Sequence, residues 1–233
     1  MATSADEDQK TARCNWPALE ANPEVLTNFI HGVGVPKTWA FHDVLGLDAE
    51  LLGMVPQPAQ AFVLLYPDAE HPDQTRDASS EASSPFFLWQ GPPLGNACGT
   101  IASIHAVVNT AAGESLVSGS ALASFVDETK GLHPQDRGLA LEKHEGIRAV
   151  HCAQAQEGQT QSHTEAVDHH FVCFVHSGGR LLELDGLKGA PVDRGPTNQD
   201  SLLVDAAEVV KAEFFAKNPD AKYILLALGP SMD

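Results

Sequence analysis

Residues 170–185 read His-Phe-Val-Cys-Phe-Val-His-Ser-Gly-Gly-Arg-Leu-Leu-Glu-Leu-Asp, two apolar runs on either side of Ser177-Gly178-Gly179. Strands joined by so few residues, with glycine to supply positive φ, form a β-hairpin, so the sheet is antiparallel here. Two turns fit. With Ser177 and Gly178 at the tip, His170 stands directly opposite Asp185. With Gly178 and Gly179 there, Asp185 faces Val172 and still shares the His170 side of the sheet. Consecutive strand residues point to opposite faces, so His169 and His170 diverge.

Outward from the hairpin, residues 61–66 (Ala-Phe-Val-Leu-Leu-Tyr) form an unbroken apolar run between Pro58 and Pro67, the pattern of a buried strand. Residues 39–44 and 223–228 read as further strands. Asn22-Pro23-Glu24 opens a helix that stops at the glycines of residues 32–34, and residues 48–55 give a short helix ended before Pro56. From Cys98 onward, Ile101, Ile104, His105 and Val108 fall on one helical face. Residues 118–129, 136–150 and 202–216 predict more helices. Polar, aperiodic residues 67–85 and 153–167 predict exposed loops. Helices that precede and interrupt a mostly antiparallel set of strands make the class α+β.

The chain has 233 residues, 43% of them hydrophobic, enough to bury a core as one domain over residues 1–233. Its N-terminus is acidic and lacks the apolar core of a signal peptide, and its longest apolar run near the C-terminus is too short to span a bilayer. Four cysteines without CxxC spacing predict a reduced, cytoplasmic chain with no disulfide framework. A net charge of −17 disfavours nucleic acid and anionic membrane and favours a basic ligand, although acidity also serves solubility. His163, His169, His170 and His176 lack the paired spacing and cysteine partners of a zinc site, so neither metal nor cofactor is expected.

Gly95-Asn96-Ala97-Cys98-Gly99 places a thiol at the first turn of a helix, where backbone N–H groups favour negative charge. A cysteine in a reduced chain is ordinarily an inert buried residue, and Cys14, Cys152 and Cys173 are read so. Cys98 differs if a base and an orienting group reach it, and the hairpin offers both. Asp185 would accept one imidazole N–H of His170, leaving the other nitrogen to the thiol. Gln90, before the Gly-Pro-Pro-Leu-Gly connection, would supply an amide donor beside the Cys98 N–H for an oxyanion.

Gln90, then Asn96-Ala97-Cys98-Gly99-Thr100, Asp168-x-His170-Phe171 and Glu183-Leu184-Asp185-Gly186 together resemble the ubiquitin C-terminal hydrolases. The stretches from Trp16 to Glu24, from Glu50 to Pro56 and from Glu157 to Thr160 extend the resemblance to the short, single-domain members and to nearly the whole chain. The resemblance implies a papain-like α/β/α fold, a central mainly antiparallel sheet flanked by helices, with a knotted backbone. It implies a thiol-dependent deubiquitinase acting at ubiquitin's C-terminal glycine, with Cys98 as nucleophile, His170 as base and acid, Asp185 as orienter and Gln90 in the oxyanion hole. Residues 153–167 would then cross over the site and favour small or unfolded leaving groups. Glu20, Glu24 and Asp43 match positions that meet basic residues of ubiquitin. The implied partner is ubiquitin or a ubiquitin-like modifier, with no nucleic acid or membrane, and the implied state is a monomer. A ubiquitin-binding protein with an inactive site is the competing class. Two departures stand out. The connection from Gln90 to Cys98 is longer than the family pattern, so a gapless match puts Pro92 where the glutamine belongs, and His169 replaces an apolar residue.

Overall fold

A computed structural model describes residues 16–67, 85–157 and 169–232. The first helix, α1 (Pro23–Val33), starts where the sequence predicts. The Asn22 side chain accepts from the Glu24 N–H at 2.8 Å, proline occupies the first turn, and Gly34 ends the helix at φ 112°. Strand β1 (Trp39–Asp43) follows, then α2 (Ala49–Leu52), capped by Asp48. Strand β2 (Ala61–Pro67) is buried on both faces, which accounts for its unbroken apolar run.

A 3₁₀ turn at Pro92–Leu94 leads into α3 (Cys98–Val108). Here the one-faced expectation is corrected: every residue from Cys98 to Val107 is buried. Gly99, Thr100, Ala102, Ser103 and Ala106 are small enough for neighbours to close on all sides of a central helix. A Cβ on Gly99 would lie 3.2 Å from the Phe171 ring, so glycine lets the helix seat hard against the hairpin strand.

The helical stretch beyond α3 divides into α4 (Ala111–Glu114), α5 (Ala121–Thr129), α6 (Pro134–Lys143) and α7 (Glu145–Glu157). Residues 153–157 are thus helix, not loop; the rest of that predicted loop, and residues 68–84 of the earlier one, lie outside the described residues. Helix α7 is tied to the start of α3, with His151 Nδ1 2.7 Å from Thr100 Oγ1.

Strands β3 (His169–Ser177) and β4 (Arg180–Leu184) pair with Ser177 opposite Arg180, so Gly178 and Gly179 make the turn, at φ 57° and 78°. Both angles are positive, the requirement of a type I′ hairpin. Strand β5 (Val192–Pro196), which the sequence reading omits, adds an edge. Helix α8 (Leu202–Val210) continues as a π-helical turn at Lys211–Phe215, and β6 (Ile224–Pro230) ends the fold.

The six strands lie in the order β1-β6-β2-β3-β4-β5, antiparallel at every pairing. The C-terminal strand therefore runs between the first two. One face packs residues of α1, α3, α5, α6 and α7; the other packs α2 and α8. This is the expected α/β/α arrangement of a sheet between helical layers. Among the described residues, no helix is long and apolar enough to cross a membrane.

Candidate active site

Cys98 is the first residue of α3 and is 7% exposed. Its helix start has no side-chain cap, so the first-turn N–H groups are free to face a developing negative charge. His170 sits on β3 beside Phe171, the residue that Gly99 packs against, and is itself buried. The close seating of α3 on β3 thereby brings the thiol to the ring. His170 Nε2 lies 2.6 Å from Asp185 Oδ1, and the ring is near enough to the Cys98 side chain for that group to raise its pKa. With Nε2 committed to the carboxylate, Nδ1 is the nitrogen left for sulfur.

Asp185 follows the end of β4 and is fully buried. The Leu187 N–H donates to its Oδ1 at 2.9 Å, and the Lys188 N–H donates to its carbonyl, a local turn that fixes the carboxylate. Burial opposes charge on both members of the pair, but their mutual hydrogen bond prevails. The His170 pKa rises from 6.5 to about 10 against burial, through its hydrogen bond with Asp185 and through the nearby Cys98. Burial likewise pushes the Asp185 carboxyl up, and the bond to His170 with its charge brings it below the ordinary carboxylate value.

Gln90 is buried within reach of this group. Its N–H donates to the Gly186 carbonyl at 2.7 Å, and its Nε2 donates to the Gly95 carbonyl at 2.7 Å. A Cβ on Gly186 would lie 3.2 Å from Gln90 Cβ, so glycine after Asp185 lets the two segments touch. The longer connection to Cys98 is taken up by the 3₁₀ turn at Pro92–Leu94, which leaves Pro92 exposed and Gln90 inside. His169, in contrast, is exposed. Glu24 and Asp43 are exposed at the start of α1 and the end of β1, and Glu20 is half-buried just ahead of α1.

The sequence reading missed a second carboxylate held beside the first. Glu183, fully buried on β4, bonds Lys188 Nζ and receives Arg194 Nε at 2.7 Å, while Lys188 Nζ also stands 3.9 Å from Asp185 Oδ2. The available signal was a lysine three residues beyond Asp185 in a glycine-bounded turn. Cys98 and Cys173 are free, whereas Cys152 is disulfide-bonded, which corrects the expectations of a reduced chain and of an inert thiol there; Cys14 lies outside the described residues. No group of three or more His, Cys, Asp or Glu among the described residues would hold a metal ion.

The arrangement is a thiol at a helix start beside an imidazole that is itself hydrogen-bonded to a buried carboxylate, fitted for acyl transfer. Residues 16–215 match the family model described as ubiquitin carboxyl-terminal hydrolase, family 1. A Drosophila melanogaster ubiquitin carboxyl-terminal hydrolase is 42% identical over 224 residues, covering 91% of this chain and 96% of that one. The Homo sapiens ubiquitin carboxyl-terminal hydrolase isozyme L1 is 39% identical over 215 residues, covering 90% and 96%. Among solved structures, the Trichinella spiralis UCH37 catalytic domain bound to ubiquitin vinyl methyl ester superposes with a TM-score of 0.75 at 28% identity, covering 94% of this chain and 97% of that one. The match in sequence across nearly the full length, on the same sheet and helices, places this chain in ubiquitin carboxyl-terminal hydrolase family 1, a family of cysteine peptidases.

Proposed function

We propose that this chain, as one catalytic domain, hydrolyses amide, ester or thioester bonds at the C-terminal glycine of ubiquitin through Cys98, His170 and Asp185. The observation that carries the reading is a buried imidazole beside Cys98 at a helix start, with its Nε2 held on Asp185 at 2.6 Å. The thiolate attacks the glycine carbonyl carbon, and the carbonyl electron pair moves onto oxygen. The oxyanion then returns its electron pair to the carbonyl, and the bond from that carbon to the leaving nitrogen, oxygen or sulfur breaks. His170 gives the departing atom a proton, leaving the acyl group on the Cys98 sulfur. Water, deprotonated by His170, attacks the thioester and frees the ubiquitin carboxylate and Cys98. Asp185 keeps the ring in the tautomer and orientation this needs.

Gln90 is the proposed side-chain donor to the oxyanion, next to the Cys98 N–H. Its Nε2 spends one hydrogen on the Gly95 carbonyl, which anchors the amide, and a second hydrogen remains. With Cys98, His170, Asp185 and Gln90 each under 10% exposed, a slender extended tail reaches the sulfur more readily than a folded surface, which supports a preference for small or unfolded leaving groups. The exposed Glu24 and Asp43, with Glu20 and a net charge of −17, suit a basic ubiquitin surface. The free Cys98 thiol is what this chemistry needs, and the cytoplasm is kept as the proposed location beside a disulfide-bonded Cys152.

The deciding experiment is labelling with ubiquitin carrying a C-terminal vinyl methyl ester. Wild type is expected to form the adduct and Cys98→Ala to form none; ubiquitin binding without labelling of wild type would instead identify a non-catalytic binder. Parallel kinetics on fluorogenic ubiquitin and ubiquitin-like substrates assign the modifier.

A further inference from the structure

The extended residues 86–90, which end at Gln90, belong to no strand of the sheet. Their backbone polar groups are nonetheless held almost one by one. The Phe86 N–H donates to Asn109 Oδ1 at 2.6 Å, and Asn109 Nδ2 donates back to the Phe86 carbonyl at 2.9 Å. Arg137 Nη1 donates to the Phe87 carbonyl at 3.1 Å. The Leu88 N–H donates to His105 Nε2 at 2.9 Å, the Trp89 N–H to the Pro134 carbonyl at 3.1 Å, and the Gln90 N–H to the Gly186 carbonyl at 2.7 Å. Side chains and turns do here what a neighbouring strand does in a ladder.

His105 and Asn109 belong to the helix that Cys98 begins: His105 lies within α3, about two turns and roughly 10 Å along the axis from Cys98, and Asn109 caps its end. His105 is wholly buried and stacks on Phe87 with centroids 5.2 Å apart. Because Nε2 accepts from Leu88, the ring proton is on Nδ1, which makes no hydrogen bond within the protein. Burial, the largest influence, lowers the His105 pKa to about 3, so the ring stays neutral. One ring thus holds the backbone two residues before Gln90.

An ordinary core histidine needs its polar atoms satisfied; here the one ring nitrogen that is bonded is spent on the segment that ends at Gln90. We propose that His105 and Asn109 are positioning residues that hang the Gln90 segment from the helix bearing Cys98, so that one rigid element sets the donor amide relative to the sulfur. The proposal rests on Gln90 as the oxyanion donor. A donor displaced by about 1 Å loses up to roughly 100-fold in rate, which is why such a hold matters.

The test is a double-mutant cycle on a ubiquitin C-terminal aminocoumarin amide, reading kcat and KM, with iodoacetamide alkylation of Cys98 alongside. His105→Phe keeps the stack on Phe87 but loses the acceptor. It is expected to lower kcat about 10- to 100-fold, with KM and alkylation within about twofold of wild type. His105→Gln, whose Oε1 restores an acceptor for Leu88, recovers most of the rate. In a Gln90→Ala background the His105→Phe loss shrinks to within about twofold, because the donor it positions is gone. Losses that multiply across the two backgrounds, or alkylation falling in step with kcat, overturn the proposal while leaving Gln90 in place. A Gln90→Ala variant with wild-type kcat overturns the Gln90 reading and this inference with it. If His105→Phe fails to fold, Asn109→Ala carries the same cycle with the same criteria.

Discussion

His170 reaches Asp185 across a diagonal of the hairpin, with Nε2 2.6 Å from Oδ1, although the β3–β4 ladder closes at Cys173 and Leu184. Asp185 has already left the strand and is held by the turn that follows, where the Leu187 N–H and the Lys188 ammonium face its two oxygens. The ladder brings the two residues near; the turn sets the contact.

That division predicts the effect of Asp185→Asn. Burial, the largest influence on the ring, continues to lower the His170 pKa, while the Asp185 charge that helps hold it at about 10 disappears and only Cys98 is left to raise it. The ring is expected to titrate well below the wild-type value of about 10 in the variant, and kcat/KM to fall by about 10²–10⁴, as when a triad carboxylate loses its charge. Side-chain NMR of the His170 ring checks the first outcome and steady-state kinetics the second. A titration unmoved from wild type would falsify the assignment of Asp185 as the dominant partner.

Adjacent histidines give the next expectation. His170 is buried on the carboxylate, and His169 is exposed opposite Pro67 at the first pair of β3 with β2. His170→Ala should lower kcat by at least about 100-fold through loss of acid–base transfer. His169→Ala should stay within about twofold. Comparable losses in both variants would mean that the strand faces the other way in solution.

The hairpin, the apolar strand of residues 61–66 and the thiol at a helix start were legible because each rests on local pattern. The choice between two hairpin turns was not, since Ser177-Gly178 and Gly178-Gly179 satisfy the same glycine rule, and only the pairing of Ser177 with Arg180 decides it. Strand β5 carries a glycine and a proline in five residues and exists because β4 pairs with it. Polarity misread residues 153–157 as loop, though Ala, Gln and Glu are strong helix formers. The place of Gln90 depends on Asn109, His105 and Gly186, contacts far apart in the chain that no window of sequence contains.

Glu183 supplies a stability prediction. Its carboxylate is fully buried, while its partners Lys188 and Arg194 are 25% and 22% exposed, so the carboxylate is the charge with no other outlet. Replacing both cations, Lys188→Met with Arg194→Met, strands it at a cost of about 3–5 kcal/mol. Adding Glu183→Leu removes the stranded charge and should recover most of that loss. Urea unfolding measures both steps. A double variant within about 1 kcal/mol of wild type would show that water reaches Glu183.

Three buried histidines set opposite limbs of the stability–pH curve. Burial lowers His105 from 6.5 to about 3 and His151 from 6.5 to about 4. Between those values and pH 6.5 the unfolded chain binds protons that the folded chain refuses, so the stability from the neutral rings is full above 6.5 and is lost as pH falls. His170 runs the other way. Its pKa is raised to about 10, so its contribution is full below 6.5 and is lost as pH rises toward 10. Each group changes the unfolding free energy by at most about 1.4 kcal/mol per pH unit within its window. Thermal unfolding across pH should therefore peak near neutrality. His105→Gln, which cannot take up the proton, should flatten the acid limb between about pH 6.5 and 4.5, and Asp185→Asn should flatten the alkaline limb by removing the main support of the His170 charge. Slopes in His105→Gln parallel to wild type would assign acid unfolding to other groups and free His105 from any role in it.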